Sequence, residues 1–205
     1  MTSELQSLIE QISSCRLCDD TLPLGPRPVV QLYADARVLI AGQAPGVKVH
    51  ETGIAFNDPS GDRLREWLGV DRDAFYHSGL FALVPMGFCY PGTTPGQGDL
   101  PPDTRCAPRW RERVLSQLPK IELTILLGAY AQRWHLREEH YKTVTAATRD
   151  YRKHWPSLIA LPHPSPRNNL WLKKNPWFEK DVLPLVRQRV ADLRHGEEAT
   201  GRPEG

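Results

Sequence analysis

Arg37-Val38-Leu39-Ile40-Ala41-Gly42-Gln43-Ala44-Pro45-Gly46 is the stretch on which the fold turns. Its first five residues are a short apolar run, and Gly42 stops it. That pattern predicts a strand buried on both faces, followed by a tight Gly/Pro turn. Further on, Leu80–Val84, Glu122–Leu127 and Leu158–Leu161 are runs of the same kind. Helical stretches fall around and between them. Residues 3–14 carry a stripe of Leu5, Leu8, Ile9 and Ile12; Gly61–Leu68 follows the capping signal Asp58-Pro59-Ser60; Arg109–Leu118, Ala129–Leu136 and Pro176–Leu193 complete the set. Short buried strands alternating with helices predict an α/β protein: three α/β/α layers around a central, four-stranded, mostly parallel sheet.

The bulk numbers set bounds. At 205 residues and 40% hydrophobic, the chain reads as one domain over residues 1–194, with a polar tail, 195–205, expected to be disordered. No apolar run reaches the roughly 18–20 residues of a membrane span, and Met1-Thr2-Ser3-Glu4-Leu5 has no signal-peptide pattern. A cytoplasmic location, no membrane partner and a monomeric state are the expectations. The net charge of +2 fits nucleic acid weakly and excludes nothing.

In open parallel sheets, ligands bind beyond the carboxyl ends of the strands. Two unusual segments fall at such ends: Gly42–Gly46 after the first strand and His163-Pro164-Ser165-Pro166 after the last. Between them lie Thr52-Gly53-x-x-Phe56 and Phe56-Asn57-Asp58-Pro59-Ser60-Gly61-Asp62. Four cysteines remain: Cys15 and Cys18 form a C-x2-C pair, and Cys89 and Cys106 bracket a Pro- and Gly-rich excursion. In a reducing compartment two disulfides are not expected. Four thiolates can hold a [4Fe–4S] cluster or a zinc ion, or they can be unrelated buried thiols.

The first motif has the form G-[QE]-x-P-[YG] and the last is H-P-S. Together with T-G-x-x-F in between, they resemble the uracil-DNA glycosylase superfamily, and the cysteine spacing resembles its iron–sulfur subgroup, the fourth and fifth families. The resemblance spans nearly the whole chain. It implies a DNA repair enzyme that flips a uracil or related deaminated base out of DNA and hydrolyses its N-glycosidic bond, without a lysine nucleophile. It implies further that Phe56 stacks on the flipped base and that His163 donates to the departing base. Gln43 would read the base edge, with Gly42, Ala44, Pro45, Gly46 and Ser165 around it.

Each residue also has a plainer role: a core phenylalanine, a structural strand-end histidine, and for Asp58 a helix cap. Two positions depart from the family. Ala44 stands where the best-studied family has its aspartate, which makes Asp58 the candidate carboxylate. Pro85 stands near a place where many relatives carry a base-reading polar side chain. After H-P-S-P, the resemblance implies that Arg167, Asn168 and Leu170 enter the minor groove and that Lys173 and Lys174 meet phosphates. For Cys15, Cys18, Cys89 and Cys106 it favours a [4Fe–4S] cluster over zinc. The loss of the usual aspartate leaves a second expectation open, a non-catalytic iron–sulfur protein that binds damaged or single-stranded DNA.

Overall fold

The computed structural model describes residues 2–96 and 98–200, with side chains through residue 195. Helix α1 (Ser3–Ser13) is capped by Thr2, whose hydroxyl accepts from the Leu5 N–H at 3.2 Å. Strand β1 (Val38–Ala41) runs into the Gly42–Gly46 turn and α2 (Val47–Thr52). Helices α3 (Pro59–Leu68) and α4 (Arg72–His77) lead to β2 (Phe81–Leu83). A small antiparallel hairpin, β3 (Thr93–Thr94) and β4 (Gly98–Asp99), interrupts the Pro-rich excursion. Then come α5 (Cys106–Leu115), β5 (Leu123–Leu127), α6 (Gly128–His135), α7 (Val144–Arg149), β6 (Leu158–Leu161), α8 (Asn169–Lys174) and α9 (Leu183–Thr200).

The four long strands form one sheet in the order β2-β1-β5-β6, and every pairing in it is parallel. The chain steps from β1 to β2 on one side, then returns past β1 to β5 on the other. The crevice between β1 and β5 is therefore the topological switch point. Side chains alternate across the sheet with period two. Val38, Ile40, Ile125 and Ile159 join Trp67, Phe75, Phe178 and Val186 of α3, α4 and the C-terminal helices in one core. Leu39, Ala82 and Val84 face Leu5, Ile12, Trp110 and Val114 of α1 and α5 on the opposite side. Ala41, Leu126 and Ala160 face Ala131 and Ala147 of α6 and α7. These are the three layers expected from the buried runs.

Several local expectations need correction. The Gly/Pro turn after β1 is followed at once by α2, and the segment after H-P-S-P is not an open loop but a 3-10 turn continuing into α8. Helix α3 starts at Pro59, and α5 starts at Cys106, three residues ahead of the Arg109 start read from sequence. The last helix opens as a π-turn at Phe178–Val182, and α9 runs past His195, where a disordered tail was expected. Residues 201–205 of that tail lie outside the described residues.

Candidate active site

Phe56 is held in a left-handed backbone conformation, φ +55°, a state that costs a residue with a Cβ about 1–2 kcal/mol. The reason lies one turn into α3. A Cβ built on Gly61 would sit 1.7 Å from the Phe56 carbonyl oxygen, so only glycine lets the helix start pass under this loop. Arg65 Nη1 donates to the same carbonyl at 3.3 Å. The Phe56 ring packs edge-on against Phe75, with centroids 6.4 Å apart, and its tip lies 3.4 Å from a Cβ built on Gly42. Phe56 is half-buried, so one side of the ring is left to the cleft.

That cleft has a volume of about 310 Å³ and lies at the carboxyl ends of β1, β2 and β6. Gly42, Gln43, Ala44, Pro45 and Gly46 line it from one side. His163, Ser165, Arg167 and Asn168 line it from another, and Phe56 and Asp58 complete it. The two strand-end segments singled out in the sequence therefore converge on one pocket. Pro85 lines it as well, with no side-chain donor or acceptor.

His163 is fixed by its neighbours. The Ser165 N–H donates to Nδ1 at 3.2 Å, which places the hydrogen of the neutral ring on Nε2. Asn168 Nδ2 donates to the His163 carbonyl at 2.7 Å. Arg63 Nη1 donates to the Pro164 and Ser165 carbonyls at 3.3 and 3.1 Å. Gly128, φ +78°, lets the histidine close on the end of β5: a Cβ there would lie 3.3 Å from His163 Cβ. Loss of solvent lowers the His163 pKa, against the opposing pull of Asp58. The ring is thereby kept neutral at physiological pH.

Asp58 is the N-cap of α3, and its Oδ1 accepts from the Gly61 N–H at 2.9 Å. Both readings of this residue find support, since it caps the helix and also lines the cleft. Gln43 is less available than the sequence suggested. Its Nε2 donates to the Leu100 carbonyl at 2.9 Å and to that of Asp99 at 3.4 Å, so its N–H groups tie the β1 turn to the hairpin. Sequence reasoning missed Asp99, whose carboxylate also lines the cleft, and Arg63, which holds the histidine loop. Neither stands in a recognisable motif. Arg167 leans across the hairpin, its guanidinium lying where a Cβ on Gly98 would be, while Leu170 on α8 is 63% exposed. Lys173 and Lys174 sit in the last turn of α8, outside the cleft.

The four cysteines are all free, and they line a second cavity together. Cys15 and Cys18 follow α1, Cys89 lies beyond β2, and Cys106 opens α5. Polar contacts bind the first pair to the excursion: Thr21 Oγ1 donates to Asp103 at 2.9 Å, and Arg105 Nη2 donates to Asp20 and Asp103, each at 2.8 Å. Burial pushes the Cys18 and Cys106 thiols up to about 12 and Cys89 to about 11. Among the described residues, no group of three or more His, Cys, Asp or Glu side chains is arranged to hold a metal ion. Arg111, 1% exposed, lies nearby; it donates to the Val84 carbonyl at 2.7 Å and to His135 Nε2 at 3.0 Å, while its Nη2 has no partner among the described residues.

No helix among the described residues is long and apolar enough to cross a membrane. A family model described as the uracil DNA glycosylase superfamily matches residues 30–187. The match takes in the whole sheet, the cleft and the histidine turn, and by it the chain belongs to the uracil DNA glycosylase superfamily, whose members act on DNA and generally hydrolyse N-glycosidic bonds.

Proposed function

We propose that this protein is a monofunctional glycosylase that takes uracil, or a related deaminated base, out of DNA and hydrolyses its bond to the sugar. The observation that carries the reading is the meeting of Phe56 and a neutral, Nε2-protonated His163 in one cleft. Its volume of about 310 Å³ falls at the lower end of the roughly 300–1,000 Å³ range of small-ligand pockets. A flipped base stacks on Phe56. As the glycosidic bond lengthens, negative charge grows on the base, and the His163 Nε2–H meets it. A donor aimed at developing charge is worth about 10²–10³ in rate. Since Pro85 offers no polar side chain and Gln43 has given its N–H groups to the hairpin, main-chain groups of the cleft read the base edge.

On the DNA side, Leu170 is the better wedge. It stands free on α8, whereas Arg167 is engaged over the hairpin. Lys173 and Lys174, one turn further, are placed for phosphates.

For the cysteines the reading is a [4Fe–4S] cluster held by Cys15, Cys18, Cys89 and Cys106. The four cysteines line one cavity, and Arg111 lies close by, a buried cation whose pKa burial lowers to about 10 against the opposing pull of Cys106 and whose Nη2 has no partner among the described residues. The cluster is preferred to zinc because the spacing of the four cysteines resembles that of the iron–sulfur subgroup. The cluster would serve as a structural tie between the N-terminal segment and the excursion. Zinc is the outcome that a colourless, zinc-loaded protein would establish.

The test is a panel of oligonucleotides bearing uracil, hypoxanthine or xanthine, each treated with alkali after incubation to cut abasic sites. Strand breaks at uracil are expected; no product from any base would overturn the assignment. A second reading rests on Ala44 and on the engaged Oδ1 of Asp58: a protein that binds damaged or single-stranded DNA without cutting it. Tight binding without turnover in the same panel would select it.

A further inference from the structure

With Ala44 lacking a carboxylate and Asp58 capping α3, the cleft needs another group to receive a proton from water. We infer that Asp99, at the end of β4, is the general base of the reaction, a role that rests on the glycosylase reading above. Its carboxylate lines the same cleft as Phe56 and His163. Asp99 Oδ2 lies 3.5 Å from a Cβ built on Gly46, so the carboxylate reaches the first motif's last residue from across the cleft. Two main-chain acceptors, Asp99 O and Leu100 O, grip Gln43 Nε2 and hold the hairpin against the β1 turn.

The two acids are not equivalent. Asp58 uses Oδ1 to cap a helix. Among the described residues, no hydrogen bond or close ion pair occupies the Asp99 carboxylate. The residue as a whole is exposed, yet enough solvent is lost around the carboxyl group to raise its pKa, with Asp58 raising it further and Arg167 opposing. An unengaged carboxylate with a raised pKa is a better base than one already hydrogen-bonded to a backbone N–H.

The step balances. The water oxygen bonds to C1′ as the C1′–N bond breaks, and that bond's electron pair leaves with the base. One water proton passes to Asp99, the His163 Nε2–H stabilises the departing anion, and Asp99 later returns its proton to solvent.

The test uses the full chain on a uracil-containing oligonucleotide under single-turnover conditions, across a range of pH. Asp99→Asn is expected to cleave at least about 100-fold more slowly while still binding the oligonucleotide. It is also expected to melt no lower than the parent at neutral pH, because burying a charged carboxylate costs the folded state. The parent's rate should fall on acidification with a midpoint above the ordinary aspartate value of 3.8, and Asp99→Glu should recover part of the loss. Cleavage by Asp99→Asn at the parental rate overturns the inference, and so does a parental acid limb at or below the ordinary value. The second result is read on the unmodified protein and decides the matter if the variant does not fold. If the parent releases no base at all, the glycosylase reading itself fails and the inference falls with it.

Discussion

Gly61→Ala is the substitution for which the structure and helix propensity predict opposite signs. In an ordinary helix the change stabilises by about 1 kcal/mol. Here the new methyl would lie 1.7 Å from the Phe56 carbonyl oxygen, where ordinary contact begins at 3.4 Å, so the Phe56 backbone must withdraw by about 1.7 Å. Overpacking of this kind costs about 1–3 kcal/mol. The withdrawal also strains the hydrogen bond from Arg65 Nη1 to that carbonyl, worth about 1.5–3 kcal/mol as a charged donor. After subtracting the propensity gain, a net loss of about 1.5–5 kcal/mol is expected, which lowers the Tm of a chain this long by at least about 3 °C. The Phe56 ring moves with its backbone, and a displacement of about 1 Å in a positioned group can cost roughly 10² in rate. Thermal melting and single-turnover cleavage of a uracil oligonucleotide, run well below the melting range, measure the two effects separately. A Tm at or above the parent's, with an unchanged rate, would refute the claim that Gly61 sets the position of Phe56.

Because burial lowers the His163 pKa, unfolding takes up a proton between the unfolded value near 6.5 and the lower folded one. Stability should therefore be level above pH 6.5 with respect to this group and fall as pH drops through that window; in a melting series, His163→Gln should reduce the slope there. Cys15→Ser should bleach the brown colour expected of a [4Fe–4S] protein, and Arg111→Leu should lower the cluster content or shift its reduction potential; an equally coloured Cys15→Ser protein would count against the ligand set. Replacing both Lys173 and Lys174 by alanine should weaken DNA binding similarly for all sequences and reduce the salt slope by roughly 0.9 per lost phosphate contact.

The sheet was legible in the sequence because four short apolar runs, each stopped by glycine, proline or a polar residue, have few other uses. The pocket was legible because two of those runs end in Gly42–Gly46 and His163–Pro166, and parallel strands deliver their carboxyl ends to one edge. The hairpin was not. Two-residue strands carry no periodicity, and an aspartate in a Pro/Gly-rich stretch looks like any turn residue until Gln43 is seen bound to its carbonyl. Helix α8 was hidden because its sequence, Asn169–Lys174, has no capping side chain and leaves Leu170 in solvent. Arg63 lies 101 residues from Pro164 in the chain, a partnership that local pattern cannot encode.

Chromatography of free base released from a uracil-containing duplex, with protein in excess, bears most directly on the claim that one cleft both holds and expels a nucleobase. The account predicts one uracil per modified strand from the parent, and from His163→Ala a rate lower by about 10²–10³ with DNA binding intact. Release by His163→Ala at the parental rate, or no free base from the parent, would contradict it.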